Sequence, residues 1–138
     1  MENNIKRNNK KDMKKLLLII TLAIITLPLM SQSHFLNASE LFITDGVHDS
    51  RKSVDIGIIL NTSNKRITIY SNEIQIIDYV VNNIYERDNY SVFEASATDT
   101  KYKKINIILS ISNNSNSVII TIGYFDFAYS YICKVITI

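Results

Sequence analysis

The sequence predicts a small all-β domain: an antiparallel meander of about six to seven strands, barrel-like or sandwich, preceded by an N-terminal signal helix. Apolar and polar residues alternate in short runs such as residues 54–60 and 105–111, which puts one row of side chains on one face of a strand. Turns rich in Asn, Ser and Lys separate these runs and leave no room for crossover helices. The pattern alone does not decide between a barrel and two packed sheets.

The first 33 residues have the pattern of a secretory signal peptide. Residues 1–15 carry six basic side chains, residues 16–30 carry no charge, and Ser31 and Ser33 are placed as in a cleavage site before His34. We therefore expect an exported protein, either periplasmic or extracellular. The alternative is an inner-membrane anchored form, although a spanning helix needs about 20 apolar residues and this run is shorter.

Residues 34–53 are expected to be an irregular N-terminal segment with one short strand at 41–44. The Asp45-Gly46 turn signal ends that strand, and a polar loop follows. The antiparallel β domain is then expected over residues 54–138.

Within that domain, residues 74–85 are ambiguous. Asn72 and Gln75 have the spacing of a helix capping box, and apolar residues recur at helical intervals. The same segment is dominated by β-branched and aromatic residues, which favour a strand. The neighbouring strands are clearer, and we predict them at 54–60, 66–70, 90–97, 105–111, 118–124 and 129–138.

Charge and cysteine content limit the function. Six of the fifteen basic residues and two of the thirteen acidic residues precede His34, so nine basic and eleven acidic residues remain, a net charge of −2. Without a basic stripe the domain lacks the electrostatic footprint of nucleic-acid binding. The single cysteine, Cys133, cannot form an intrachain disulfide, and it alternates in a strand as a buried apolar residue would; a nucleophile or an intermolecular link is the alternative.

Residues 44–50, TDGVHDS, are the one group that could suggest catalysis or metal binding. They contain Asp45, His48, Asp49 and Ser50, but the chain has only two histidines, and nothing indicates an oxyanion hole. We interpret the segment as a solvated loop. No catalytic residue, metal or cofactor is predicted.

Aromatic residues are concentrated near the C-terminus. Alternation means that these rings cannot all face one core, so some aromatic area should lie on a second face. Tyrosine beside a carboxylate suits a sugar ring or a protein partner, whereas the alternative is that the rings fill the core. The predicted binding residues are Tyr124, Asp126, Tyr129 and Tyr131.

Two segments resemble a family of small exported bacterial proteins of about this length that have no assigned function. The family's R-I-T-I-Y-S and Q-I-x-D patterns correspond to residues 66–71 and 75–78, and its C-terminal Y-x-D-x-x-(aromatic)-x-Y pattern corresponds to residues 124–131. Relatives often carry a tryptophan where Tyr129 stands. The resemblance implies an exported all-β domain and a strand at 74–81, and it implies no activity.

Taken together, these features predict a non-enzymatic exported β-domain that binds a protein or a glycan. The alternatives are a barrel-type carrier of a small apolar ligand and a membrane-anchored structural domain. Membrane contact is expected only through an uncleaved signal segment, and nucleic acid is not expected as a partner.

Overall fold

Residues 33–136 are described by a computed structural model, and the expected signal helix lies outside the described residues. The strands are β1 (Ser33–Thr44), β2 (Asp49–Asn61), β3 (Arg66–Tyr70), β4 (Ile74–Arg87), β5 (Tyr90–Thr98), β6 (Lys104–Ser112), β7 (Ser117–Gly123) and β8 (Ala128–Val135). Each strand pairs antiparallel with the next, and β1 pairs with β8 to close a barrel. The predicted all-β antiparallel meander is confirmed, and its barrel form is the one observed.

The barrel has eight strands instead of the predicted six to seven. The strand predicted at 41–44 and the ambiguous segment at 74–85 both count among the eight. Residues 34–53, expected to be mostly irregular, form most of β1 and the beginning of β2. The register of β1 shifts between Ala38 and Glu40, so Leu36 and Ala38 face inward before the shift and Leu41 faces inward after it. This bulge breaks the period of two, which explains why only residues 41–44 of the strand were predicted.

The ambiguous segment is strand β4. Its register with β3 runs from Arg66↔Asp78 to Tyr70↔Ile74, and Ile77 and Tyr79 point into the barrel. The strand interpretation of residues 74–85 is therefore confirmed. The β-branched side chains of this segment pack against both neighbouring strands, whereas a helix would restrict their rotamers.

Aliphatic side chains from all the strands fill the interior of the barrel. Cross-strand partners such as Ile58↔Ile69, Leu60↔Ile67 and Leu109↔Ile120 are buried. An eight-stranded barrel is just wide enough for side chains to fill its centre. The interior is therefore a packed core, and it supports both ends of the molecule.

Residues 33–136 contain no helix that is long and apolar enough to cross a bilayer.

Candidate functional site

The two ends of the barrel carry different connections, because every second turn of an antiparallel meander lies at the same end. One end carries residues 45–48, 71–73, 99–103 and 124–127, and we call it the aromatic end. The other end carries residues 62–65, 88–89 and 113–116. We call it the polar end, because these three connections contain only Thr, Ser, Asn, Asp and Lys.

Three aromatic rings contact one another at the aromatic end. The rings of Tyr124 and Phe127 stack with centroids 4.7 Å apart and an interplanar angle of 20°. Tyr129 meets Phe127 edge-on at 5.1 Å and Tyr124 at 6.3 Å. A hydrogen bond of 2.8 Å from the Tyr124 amide to the Phe127 carbonyl closes the β7–β8 loop and brings the two rings together. We call these three residues the aromatic cluster.

Asp99 connects the aromatic cluster to the neighbouring β5–β6 loop. Its Oδ2 accepts a hydrogen bond from the Tyr124 hydroxyl at 3.2 Å. Its Oδ1 accepts bonds from the amides of Lys101 at 2.9 Å and Lys103 at 2.8 Å. The carboxylate of Asp99 therefore stabilises the β5–β6 loop and also binds Tyr124 of the β7–β8 loop.

The hydroxyl of Tyr124 stays protonated at neutral pH. Burial raises the pKa of Tyr124 to about 12, and the negative charge of Asp99 and the hydrogen bond to it act in the same direction. The Tyr124 hydroxyl is thus neutral and donates its hydrogen bond to Asp99, and its oxygen can still accept a hydrogen bond from a ligand.

A cleft of about 200 Å³ opens between three of the loops at this end. The rings of Tyr124 and Phe127 form one part of its wall, and Glu73, Gln75 and Lys101 supply polar groups. An apolar wall with a few convergent polar groups is the usual composition of a small-molecule site.

The structure separates the four predicted binding residues. Tyr131 is only 6 % exposed and belongs to the barrel core, where burial raises its pKa. Tyr129 also packs against that core, and its ring reaches the aromatic cluster. Asp126 is exposed in the β7–β8 loop. Among the four, Tyr124 and Tyr129 are in ring contact, whereas Tyr131 follows the inward alternation of β8 into the core.

Sequence reasoning missed Phe127 and Asp99 as site residues. Phe127 is one of the aromatic residues near the C-terminus, and its stacking depends on the conformation of the β7–β8 loop. Asp99 is separated from Tyr124 by 25 positions and belongs to a different hairpin. No local pattern signals that pairing, so only strand register could find it.

The TDGVHDS segment forms a turn stabilised by Asp45. Its Oδ1 accepts hydrogen bonds from the amides of Val47 and His48 at 2.9 and 2.6 Å, and these bonds lower the pKa of Asp45. Gly46 adopts φ 86°, which suits a residue without Cβ. Within residues 33–136, no group of three or more His, Cys, Asp or Glu side chains is placed to hold a metal ion.

Cys133 lies in the core and is 1 % exposed. Burial raises the pKa of its thiol to about 12. Because the thiolate is the reactive species, this cysteine is a poor nucleophile at neutral pH.

A wider depression of about 910 Å³ crosses the outer face of β4, β5 and β6. It contains exposed Ile76 and Val80 and borders Asp78, which forms a bidentate pair with Arg66 at 2.6 and 3.0 Å. This outer face is open, and within residues 33–136 the stacked and edge-on ring contacts belong to the smaller cleft. We therefore place the candidate site at the aromatic end.

Comparisons with protein-family models, curated proteins and solved structures found no match for this chain. The resemblance to a family of exported proteins stays a prediction.

Proposed function

We propose that this protein is a non-enzymatic binding domain that holds a carbohydrate ring in the cleft at its aromatic end. The observation that carries the proposal is the Tyr124–Phe127 stack, fixed through Asp99, beside the polar groups of Glu73 and Gln75. A sugar ring has an apolar C–H face that packs on an aromatic ring, and hydroxyls that bind carboxylates and amides. A cleft of about 200 Å³ is smaller than the roughly 300–1,000 Å³ of sites for drug-sized ligands, so it suits one ring or the end of a chain.

The alternative of an apolar-ligand carrier has less support. A carrier needs an interior cavity, whereas the inward side chains Ile67, Ile69, Ile107 and Ile120 are fully buried at the centre of the barrel. Binding of a protein partner at the same end remains the second candidate, because Tyr102 and Phe125 project from its loops.

The binding test combines a glycan array with titration calorimetry on the positive glycans. We expect Phe127→Ala to weaken binding at least ten-fold because it removes the stacked ring, and Tyr124→Phe to have a smaller effect because it keeps the ring. Tyr90→Ala is the matched control, since Tyr90 is a partly exposed tyrosine at the polar end. Absence of glycan binding, or equal losses for Phe127→Ala and Tyr90→Ala, would contradict the proposal.

The proposal includes export, which rests on the pattern of residues 1–33. The measurement is the intact mass of the protein from culture medium, periplasm and membranes of its own host. A soluble form cleaved near Ser33 supports a free exported domain, whereas the full-length mass in membranes supports the anchored alternative.

A further inference from the structure

Strand β4 extends beyond its neighbour β3 near the polar end of the barrel. The pairing of the two strands ends at Arg66↔Asp78. The Tyr79 amide then donates one further hydrogen bond of 2.9 Å to the Lys65 carbonyl. In the described part of the chain, residues 80–87 pair with β5 alone, so their backbone groups that face away from β5 have no strand partner there. We call residues 80–87 the free edge.

The first six residues of the free edge carry no charge, and two of its apolar side chains are exposed. Val80 is 67 % exposed and Ile84 is 59 % exposed. Residues 80–85 contain only Val, Asn, Ile and Tyr. The register shift of β4 lies within residues 81–83, and residues 83–87 then pair with β5 without interruption. The free edge therefore includes a regular segment on which another strand can pair.

Strand β2 has a comparable edge segment, but that segment is charged. The pairing of β2 with β1 begins at Asp49, whereas its pairing with β3 begins only at Gly57. The residues between these two points include Arg51, Lys52 and Asp55. Charged side chains on an edge strand oppose pairing with another chain. The free edge of β4 lacks such charges before Glu86, which indicates that it is suited to pairing.

Opposite charges flank the free edge. Lys65 lies at its beginning, where the Lys65 carbonyl binds the Tyr79 amide, and Asp88 follows its last residue in the β4–β5 turn. Within residues 33–136, neither Lys65 nor Asp88 takes part in an ion pair. When two identical strands pair antiparallel, the beginning of one meets the end of the other, so Lys65 of each copy approaches Asp88 of the other. The free edge is therefore complementary to itself in charge.

We propose that two copies of this chain pair antiparallel through their free edges, about a two-fold axis close to Ile84. This pairing gives the outward-facing backbone groups of both edges a partner and covers part of the exposed area of Val80 and Ile84. The interface closes at two copies, because each copy contributes the same edge. The cleft at the aromatic end lies at the other end of the barrel, so it stays open in both copies.

Disulfide trapping tests the position of the axis. Ile84→Cys places a thiol close to the axis, and Ile74→Cys is the matched control. Ile74 is 61 % exposed on the same strand, but it lies opposite Tyr70 in the part of β4 that pairs with β3. Under mild oxidation we expect a covalent dimer of Ile84→Cys on a non-reducing gel and none of Ile74→Cys. The natural Cys133 is 1 % exposed and does not compete.

Sedimentation equilibrium gives the affinity of the two copies. Ile84→Lys brings two like charges together at the axis, so the dissociation constant of the dimer should rise about ten-fold. Ile74→Lys should dimerise like the natural chain.

The charged contact is tested with asparagine variants, because Lys65 and Asp88 have φ of 55° and 51° and asparagine tolerates this conformation. Lys65→Asn and Asp88→Asn should each weaken the dimer a few-fold. The double variant should be little weaker than either single one, since both changes remove the same contact. Additive losses would contradict a contact between Lys65 and Asp88.

Three results would overturn the proposal. The first is a monomer at every concentration, which would leave the free edge to a strand of a different protein. The second is equal cross-linking of Ile84→Cys and Ile74→Cys. The third is a dimer unaffected by Ile84→Lys, which would assign the association to another region, residues 1–32 included, since every variant carries them. Ile84→Lys should keep the glycan binding of the natural chain, so this test and that of the cleft fail independently.

Discussion

The two ends of this barrel rest on the same strands but differ in chemistry. At the aromatic end, a ring cluster, a shared carboxylate and projecting side chains come from several loops. At the polar end, short turns are closed by their own residues, such as Asp88 and Asn89 at φ 51° and 68°. Two successive residues with positive φ match the twist of a tight hairpin. The turns of the polar end therefore do little more than reverse the chain. The loops of the aromatic end also expose aromatic side chains that chain reversal does not require.

The polar end also has a network between loops, but it is made of small polar groups. The hydroxyl of Ser91 lies 2.7 Å from both Glu86 and Asn113, and the Asn113 amide donates to Glu86 at 2.8 Å. These hydrogen bonds lower the pKa of Glu86. The network is exposed and presents no apolar surface, so it joins neighbouring hairpins without forming a site.

The comparison assumes that both ends rest on one rigid core. Ile120→Ala removes a fully buried side chain, and we expect it to lower the free energy of unfolding by about 2–5 kcal/mol. Phe125→Ala should change it by less than about 0.5 kcal/mol, because that ring is fully exposed. Urea denaturation measures the free energy of unfolding of both variants. Similar effects of the two changes would contradict the view that the fold is stabilised by the barrel core and not by the exposed ring of the β7–β8 loop.

The side chain of Asp99 should contribute more to stability than the side chain of Asn113 at the polar end. Asp99→Ala removes three hydrogen bonds and frees Tyr124, and we expect a loss of about 2 kcal/mol together with weaker glycan binding. The matched change Asn113→Ala removes exposed hydrogen bonds and should cost less than about 1 kcal/mol. An equal loss for Asn113→Ala would remove the energetic distinction between the two networks.

Relief of backbone strain should differ between Tyr102 at the aromatic end and Asn89 at the polar end. Tyr102→Gly relieves a left-handed tyrosine, so the free energy of unfolding should rise by about 0.5–1 kcal/mol after the entropy of glycine is included. Asn89→Gly should have almost no effect, because asparagine tolerates this conformation. A destabilised Tyr102→Gly variant would mean that the ring contributes to the fold, and would weaken the case for a protein partner at Tyr102.

The smallest effect at neutral pH concerns Tyr124. Its pKa of about 12 in the folded chain lies above the ordinary value of 10, so the folded state retains a proton that the unfolded state loses. The resulting stability is fully present below pH 10 and is lost as the pH rises through 12. Ultraviolet titration of the tyrosines measures this pKa. In the Asp99→Asn variant, the tyrosine with the highest pKa should titrate at lower pH, and an unchanged titration would contradict the effect of Asp99 on Tyr124.

Much of the fold was predictable because strand periodicity is local. Runs such as residues 54–60 and 105–111 have an apolar residue at every second position, and the structure confirms strands there. Only residues 41–44 of the first strand were predicted, because its bulge at residues 38–40 shifts the alternation. The site was only partly predictable, since Tyr124 and Tyr129 do meet, whereas alternation along β8 takes Tyr131 into the core.

The sequence by itself determined the fold class, because apolar alternation and turn residues act over a few neighbouring positions. Tertiary structure alone decided that β1 and β8 close the barrel, since strand pairing over such a separation leaves no local pattern. It also decided that Asp99 meets Tyr124, because the register of three hairpins brings their loops to the same end. The chemistry of the aromatic end thus depends on the strand topology, because none of its residues forms a recognisable motif in the sequence.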